Sequence, residues 1–344
     1  VSSLVCALKS KLAGPEAYEK LIASDLKQVL DFLQSKYGLV AVFRQAEDEN
    51  RIHQSIDGKY YDALRRVKSL SPPGLGRLIG LMAQWGELEL LATVLKAAGE
   101  RVDPNTLLSG ITPRGEYDEE RIRQMAEAGS VRRASEMVTD QDLRETLLKA
   151  VSEFGADPSS AVDLSIQRVY SIRLWRGLRT LLSGQDSETV KHILGQWFDL
   201  RTLLLVARSQ TLGISAKRIR ALMLPAHYRL SGPEIEDMVA ASSIDLYRRI
   251  AASRYGKAMS AADLVAFPEL DASSLEIIFD RYLAQECFQV FAGWRFTAGV
   301  AVAFVFLKQF EARDLKAILT GKVRSLPAQS IRRSITLHQK PLQR

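Results

Sequence analysis

A single shift of 112 residues lays this chain onto itself twice, and that recurrence limits its possible folds more than any one motif does. Trp85 falls on Trp197, and Glu87, Asp199 and Glu311 share a phase. So do Leu91, Leu203 and Leu315, then Val94, Val206 and Ile318, then Val102, Ile214 and Leu326. Pro113 matches Pro225, Ile219-Arg220 matches Ile331-Arg332, and Ile166–Tyr170 matches Ile278–Tyr282. A looser marker pairs Ser35-Lys36-Tyr37-Gly38 with Ser253-Arg254-Tyr255-Gly256, 218 residues apart and so six short of two periods. Only five of 22 positions are identical between Asp199–Arg220 and Glu311–Arg332, so the repeat is recognised by one shift serving separated segments in order. Three homologous units are expected, over residues 1–117, 118–231 and 232–344.

Within each unit the apolar spacing is helical. Leu21, Ile22, Leu26, Val29, Leu30 and Leu33 step by three and four, which builds one stripe on a helix. No sustained period-two alternation appears, so the expected fold class is all-α. Asp57-Gly58, the one hairpin-like pair, lacks β-branched runs on both sides and reads as a loop between helices. Other breaks are expected at Ser71-Pro72-Pro73-Gly74, Asp103-Pro104, Pro113-Arg114-Gly115, Gly155-Ala156-Asp157-Pro158, Leu224-Pro225 and Ser231-Gly232-Pro233. A helix–turn–helix recurs at one phase: Val102-Asp103-Pro104, Gly213-Ile214-Ser215, and Gly321 followed by Ser325-Leu326-Pro327. Gly213 suits a helix C-terminus, Asp103 and Ser215 suit N-caps, and proline suits a first helical position.

Composition narrows the class further. The longest uncharged, mostly apolar run is the twelve residues from Phe296 to Leu307, too short to span a bilayer, which takes about 20. No basic-then-apolar leader opens the chain, so a soluble cytoplasmic protein is expected. Cys6 and Cys287 are far apart without ligand-like spacing, and two free thiols are expected. The net charge is +7, and residues 317–344 hold Lys322, Arg324, Arg332, Arg333, Lys340 and Arg344 with no acid. Such an end suits nucleic acid, anionic headgroups or an acidic protein surface. It contains no Phe, Tyr or Trp to stack on bases.

The side chains that might carry chemistry are weighed one by one. Gly74, Gly76 and Gly80 have the wrong spacing for a nucleotide loop and follow no strand. His53 has Glu49 and Asp57 one helical turn away, and His192 has Glu188. No second His or Cys joins either group, and His227 and His338 stand alone, so surface pairing is expected in place of a metal site. Glu87, Asp199 and Glu311 lie in separate units, so they are expected to sit near helix starts or to pair with Arg201 or Arg313 instead of forming an acid–base set. Trp85, Trp197 and Trp294 read as core anchors; Tyr60, Tyr61, Tyr170 and Tyr282 suit unit interiors. Arg65-Arg66, Arg132-Arg133 and Arg248-Arg249 read as solvated faces. No catalytic, cofactor-binding or metal-binding residue is assigned, and no cofactor is expected.

The stretch from Phe310 to Lys322, with Leu326-Pro327 and Ile331-Arg332, resembles the closing segment of the C subunit of V/A-type rotary ATPases, whose vacuolar counterpart is the d subunit. Trp85 to Leu107 with Pro113-Arg114-Gly115-Glu116, and Trp197 to Ile219 with Leu224-Pro225, resemble its two earlier copies. Tyr18 to Gly38 resembles the N-terminal helix ending in Tyr-Gly. The family's usual Asn ahead of a Leu-basic pair is Leu90, Thr202 and Asp314 here. The resemblance implies three helical domains in a pseudo-threefold funnel on the cytoplasmic face of a membrane. It implies a non-catalytic connector between the proteolipid (c) ring and the D and F subunits of the central stalk, passing torque for proton or sodium transport. The alternative is a basic helical-repeat protein on nucleic acid or an anionic membrane.

Overall fold

A computed structural model describes residues 2–39, 47–154, 158–224, 227–259, 271–293 and 297–337. Among these, the fold is all-α; the only extended pairing is one isolated bridge between Arg114 and Tyr117. Trp294, Pro225, His338, Lys340, Arg344 and the Gly155-Ala156-Asp157 break lie outside the described residues.

Long helices make the frame: Glu47–Ser69, Pro73–Ala83 continuing after Gln84 as Trp85–Glu100, Pro158–Leu181, Gly184–Thr211, Ala272–Ala292 and Ala298–Val323. Each packs on the next in that order, and Ala298–Val323 packs back on Glu47–Ser69, so the neighbour relations close into a ring. Shorter helices lie against this frame. Ser2–Lys9 and Leu26–Tyr37 pack on Ala298–Val323, Glu119–Glu127 and Val131–Glu136 on Trp85–Glu100, and Gly232–Ala240 and Ser243–Ala252 on Gly184–Thr211.

Pro73–Glu100 is long and apolar enough to cross a membrane by composition alone, which the twelve-residue run had not suggested. More than half of its apolar window, 56%, is buried inside the protein, against Glu47–Ser69 and Pro158–Leu181. Burial on that scale marks a core helix.

The 112-residue phase recurs in the backbone. Arg101, Gly213 and Ser325 all adopt positive φ, at 55°, 66° and 53°. The N–H groups of Val102, Ile214 and Leu326 then bond the carbonyls of Ala97, Ser209 and Gly321, at 2.9, 2.8 and 2.8 Å. That is the six-to-one bond of a Schellman end. Seven-residue helices follow, Pro104–Gly110, Ala216–Leu222 and Ala328–Ser334, with Leu107, Ile219 and Ile331 buried. Asp103 caps the first by accepting the Thr106 N–H at 2.9 Å. Ser215 stands at the second N-cap without a side-chain bond, and Pro327 is an N-cap, not the first helical residue. Gly321 does not weaken its helix. A Cβ there would lie 2.6 Å from Ile331 Cγ1, so glycine allows the close approach of Ala328–Ser334.

Asp57-Gly58 was expected in a loop and lies inside Glu47–Ser69. Ile52, Ile56, Tyr60, Leu64 and Val67 form a buried stripe that overrides the cost of one glycine, about 1 kcal/mol. Cys6 and Cys287 are free thiols, and burial pushes the Cys287 thiol well up.

Candidate functional site: three carboxylates and a charged cavity

Asp199 and Glu311 are fully buried, and Glu87 is half-buried. Glu87 lies in the first turn of Trp85–Glu100, one of the two expected placements, and the other fails: Arg201 and Arg313 pair with none of the three. Residues two apart on a helix point in nearly opposite directions, so Asp199 and Glu311 face away from the arginines that follow them. Asp199 accepts the N–H groups of Tyr228, Arg229 and Leu230 at 2.9, 2.7 and 3.2 Å, and the Tyr255 hydroxyl at 2.7 Å. Glu311 accepts the Ala13 N–H at 2.7 Å and the Tyr37 hydroxyl at 2.6 Å, and is ion-paired with Lys308. Glu87 accepts the Glu116 N–H at 2.9 Å. Burial, then the neighbouring carboxylate, pushes the Tyr37 and Tyr255 phenols far up, so both remain donors. Beside Glu87 lies a cavity of about 260 Å³, lined by Tyr117, Glu116, Thr139, Asp140 and Arg173 among others, and among the described residues no tyrosine hydroxyl donates to Glu87. The three carboxylates are therefore structural joints, and the two Tyr-Gly segments matched in the sequence bind two of them.

The arginines point instead toward a larger cavity of about 500 Å³, walled by residues from all the long helices. Trp85, Trp197 and Gln309 line it at one 112-residue phase, and Glu89, Arg201 and Arg313 at another. Trp85 and Trp197 were expected as core anchors; they also face this space. Tyr170 sits between them, 5.0 and 5.9 Å from their rings, and Phe306 and Phe310 continue the aromatic wall.

Arg201 donates to Glu276 at 2.7 Å and to Asp280 at 3.0 Å; Arg208 also pairs with Glu276. Arg313 donates to Asp280 at 2.6 Å and to the Thr336 hydroxyl at 2.8 Å. Burial opposes charge on Arg201, but Asp280 and Glu276 outweigh it and hold the guanidinium's pKa up. Across the cavity Lys316 meets Asp57 at 2.8 Å, and Lys96 meets Asp163 at 2.6 Å. Glu89 differs. It accepts the Trp85 indole N–H at 2.6 Å, and among the described residues no cation forms an ion pair with it. Enclosure by the cavity wall pushes its carboxyl up, although the indole bond and Lys316 oppose this.

His192 does not pair with Glu188, which is exposed toward Lys191; its Nε2 meets Glu286 at 3.1 Å on Ala272–Ala292. His53 stays near Glu49, 3.9 Å away, as the spacing suggested. The paired arginines at 65–66, 132–133 and 248–249 are exposed. At the basic end, Lys322 donates to the Ile22 carbonyl and Arg332 to Glu19 at 2.7 Å, so two of its charges hold Pro15–Ala23. Sequence reasoning missed Asp280, Glu276 and Arg281. The buried Arg281 donates to the Arg332 and Ile335 carbonyls, while Asp314 accepts the Thr336 and Leu337 N–H groups at 2.9 and 2.7 Å. Asp280-Arg281, an acidic–basic pair inside an apolar helix, was the available signal.

Among the described residues the protein is an all-helical body with buried structural acids and a charged cavity among its long helices. The chain belongs to the ATP synthase (C/AC39) subunit family, whose profile matches residues 1–334. It is similar to the C subunit of the A-type ATP synthase of Methanocaldococcus jannaschii, 18% identical over 340 residues that cover 96% of this chain and 84% of that one. It is also similar to the proteins of the same name from Pyrococcus abyssi, 20% identical with 91% and 83% covered, and Halorubrum lacusprofundi, 23% identical with 98% and 97% covered.

Proposed function

We propose that this chain is the non-catalytic connector of an A-type rotary ATP synthase, seating the central stalk on the proteolipid ring at the cytoplasmic membrane face. The observation that carries the reading is the cavity, whose walls come from corresponding positions of three units, Trp85, Trp197 and Gln309, then Glu89, Arg201 and Arg313. The units are those of residues 1–117, 118–231 and 232–344, arranged about a pseudo-threefold axis as a funnel. Support for closure comes from the carboxylates. Glu87 holds the segment at Glu116, Asp199 the segment at Tyr228–Leu230, and Glu311 reaches back to Ala13. Each unit thus grips the chain leading into the next, and the third grips the first.

A torque-bearing spacer needs stiffness, which packed helices and buried ionic joints supply. A helix about 10 Å across, rising 1.5 Å per residue, fills on the order of 120 Å³ per residue, so the cavity takes about one helical turn. That is the tip of a rod, and the D and F subunits of the stalk are its proposed source. Pull-down of the tagged chain from detergent-solubilised membranes tests the reading. Recovery of the proteolipid ring together with stalk and ATPase-head subunits is expected. Recovery of nucleic acid, or of none of these subunits, refutes it.

A further inference from the structure

A threefold seat has an intrinsic ambiguity. A partner tip without threefold symmetry can enter it in three orientations of equal energy, unless the seat's own charges differ between units. Here they differ, and at one phase the sign reverses. The wall position held by Arg201 and Arg313 in two units is Glu89 in the remaining one.

The surroundings sharpen that difference. Both arginines are tied to Asp280, so their positions are fixed and part of their charge is met. Glu89 has only the Trp85 indole as donor. The cavity lining as a whole carries six Lys or Arg against four Asp or Glu. An entering tip therefore meets two cations on every unit, Lys96 and Arg114, Arg201 and Arg208, and Arg313 and Lys316, and on the first unit alone a carboxylate that forms no ion pair among the described residues. Charges brought together in an enclosed seat favour complementary orientations and penalise like-charge contacts, so such asymmetry acts on choice of orientation more than on raw affinity.

We infer that the cavity seats its partner in one rotational register, with Glu89 taking a Lys or Arg side chain of an otherwise acidic helical tip and Arg201 and Arg313 facing that tip's carboxylates. This rests on the reading of the cavity as the stalk's seat. Glu89 is the keying residue because it alone breaks the charge pattern at its phase. Its exposed place on the cavity wall, outside the apolar core, allows it to change without loss of the fold.

The test uses the full chain and the recombinant D subunit of the central stalk, carrying a benzophenone amino acid at its tip. Photo-adducts are mapped by mass spectrometry to wall segments 82–96, 197–208 and 305–316. The expected result is adducts concentrated on one segment in the native chain. Glu89→Arg, which puts the same charge at this position in all three units, should spread adducts over the three segments and weaken binding by about tenfold or more. Circular dichroism confirms that the variant is folded; Glu89→Gln serves in its place if it is not, with the same direction and a smaller effect. Comparable adduct yields on all three segments of the native chain overturn the inference, as does a single register that Glu89→Arg leaves unchanged. Failure of the stalk protein to bind the native chain at all refutes the functional reading itself, which is a separate outcome.

Discussion

Replacing Asp199 by asparagine should cost about 3 kcal/mol of stability, the largest effect among the three same-phase carboxylates. Four donors converge on this buried side chain: three backbone N–H groups and one phenol. Hydrogen bonds to a charged acceptor contribute about 1.5–3 kcal/mol net, and a buried donor left unpaired costs about 1–3 kcal/mol. An asparagine offers one acceptor oxygen. Placed where Oδ2 is, that oxygen keeps Arg229, Leu230 and Tyr255 as neutral-acceptor bonds and turns an amide NH₂ toward the Tyr228 N–H. One lost bond and three weakened ones give the estimate. Glu311→Gln should cost about 2 kcal/mol, since one backbone N–H, one phenol and Lys308 converge on it. Glu87→Gln, with a single backbone donor and partial exposure, should cost under about 1 kcal/mol. Differential scanning calorimetry reads the series. At about 2 °C per kcal/mol for a chain of this size, the midpoint should fall by about 6, 4 and at most 2 °C. An asparagine at 199 within about 0.5 kcal/mol of the native chain, or a larger effect at Glu87 than at Asp199, refutes the view of these groups as graded joints.

The recurrent left-handed residue gives a paired prediction: Gly213→Ala should destabilise by about 1 kcal/mol, and Ser325→Gly should stabilise by up to about 1 kcal/mol, both measured as shifts in thermal midpoint. Asp314 is fully buried, and burial pushes its carboxyl up to about 7, with Arg313 and the Leu337 and Thr336 N–H bonds opposing. A raised folded-state value means the folded chain binds the extra proton. The side chain's contribution is therefore most favourable below about pH 4, declines as pH rises toward about 7 and is level above that. Urea midpoints of the native chain and Asp314→Asn should accordingly diverge most in the native chain's favour at low pH and least above about pH 7. At the closing turn, Gly321→Ala should destabilise by about 1–3 kcal/mol through the clash with Ile331, and Ile331→Ala in the same chain should recover part of that loss, as a double-mutant cycle shows.

Much of the fold was legible because repetition turns weak local signals into one strong signal. No single stop–start at Val102, Ile214 or Leu326 is decisive, yet three at one phase located the Schellman ends and the seven-residue helices behind them. What failed was judgement from pairs of residues alone. Asp57-Gly58 reads as a turn until the buried stripe of Ile52, Ile56 and Tyr60 is laid on one helix face. Asp199 and Arg201 look like an ion pair in sequence, but helical geometry sends one toward the next segment of chain and the other into the cavity. His192 looks bound to Glu188, yet its partner Glu286 comes from another helix, and no local spacing encodes that contact. The cavity was the least legible feature. Its wall joins Asp57, Glu89, Asp163 and Glu276, which meet only through tertiary packing. The phase relation of Glu89, Arg201 and Arg313 is present in the sequence, two residues past the same-phase carboxylates.

Cryo-electron microscopy of the intact membrane complex tests the central claim most directly. The account predicts this chain as a single copy between the proteolipid ring and the stalk, with about one turn of a stalk helix inside the space walled by Trp85, Trp197 and Gln309. The chain placed at the periphery of the complex, or a stalk seated on its outer surface with that space unfilled, contradicts it.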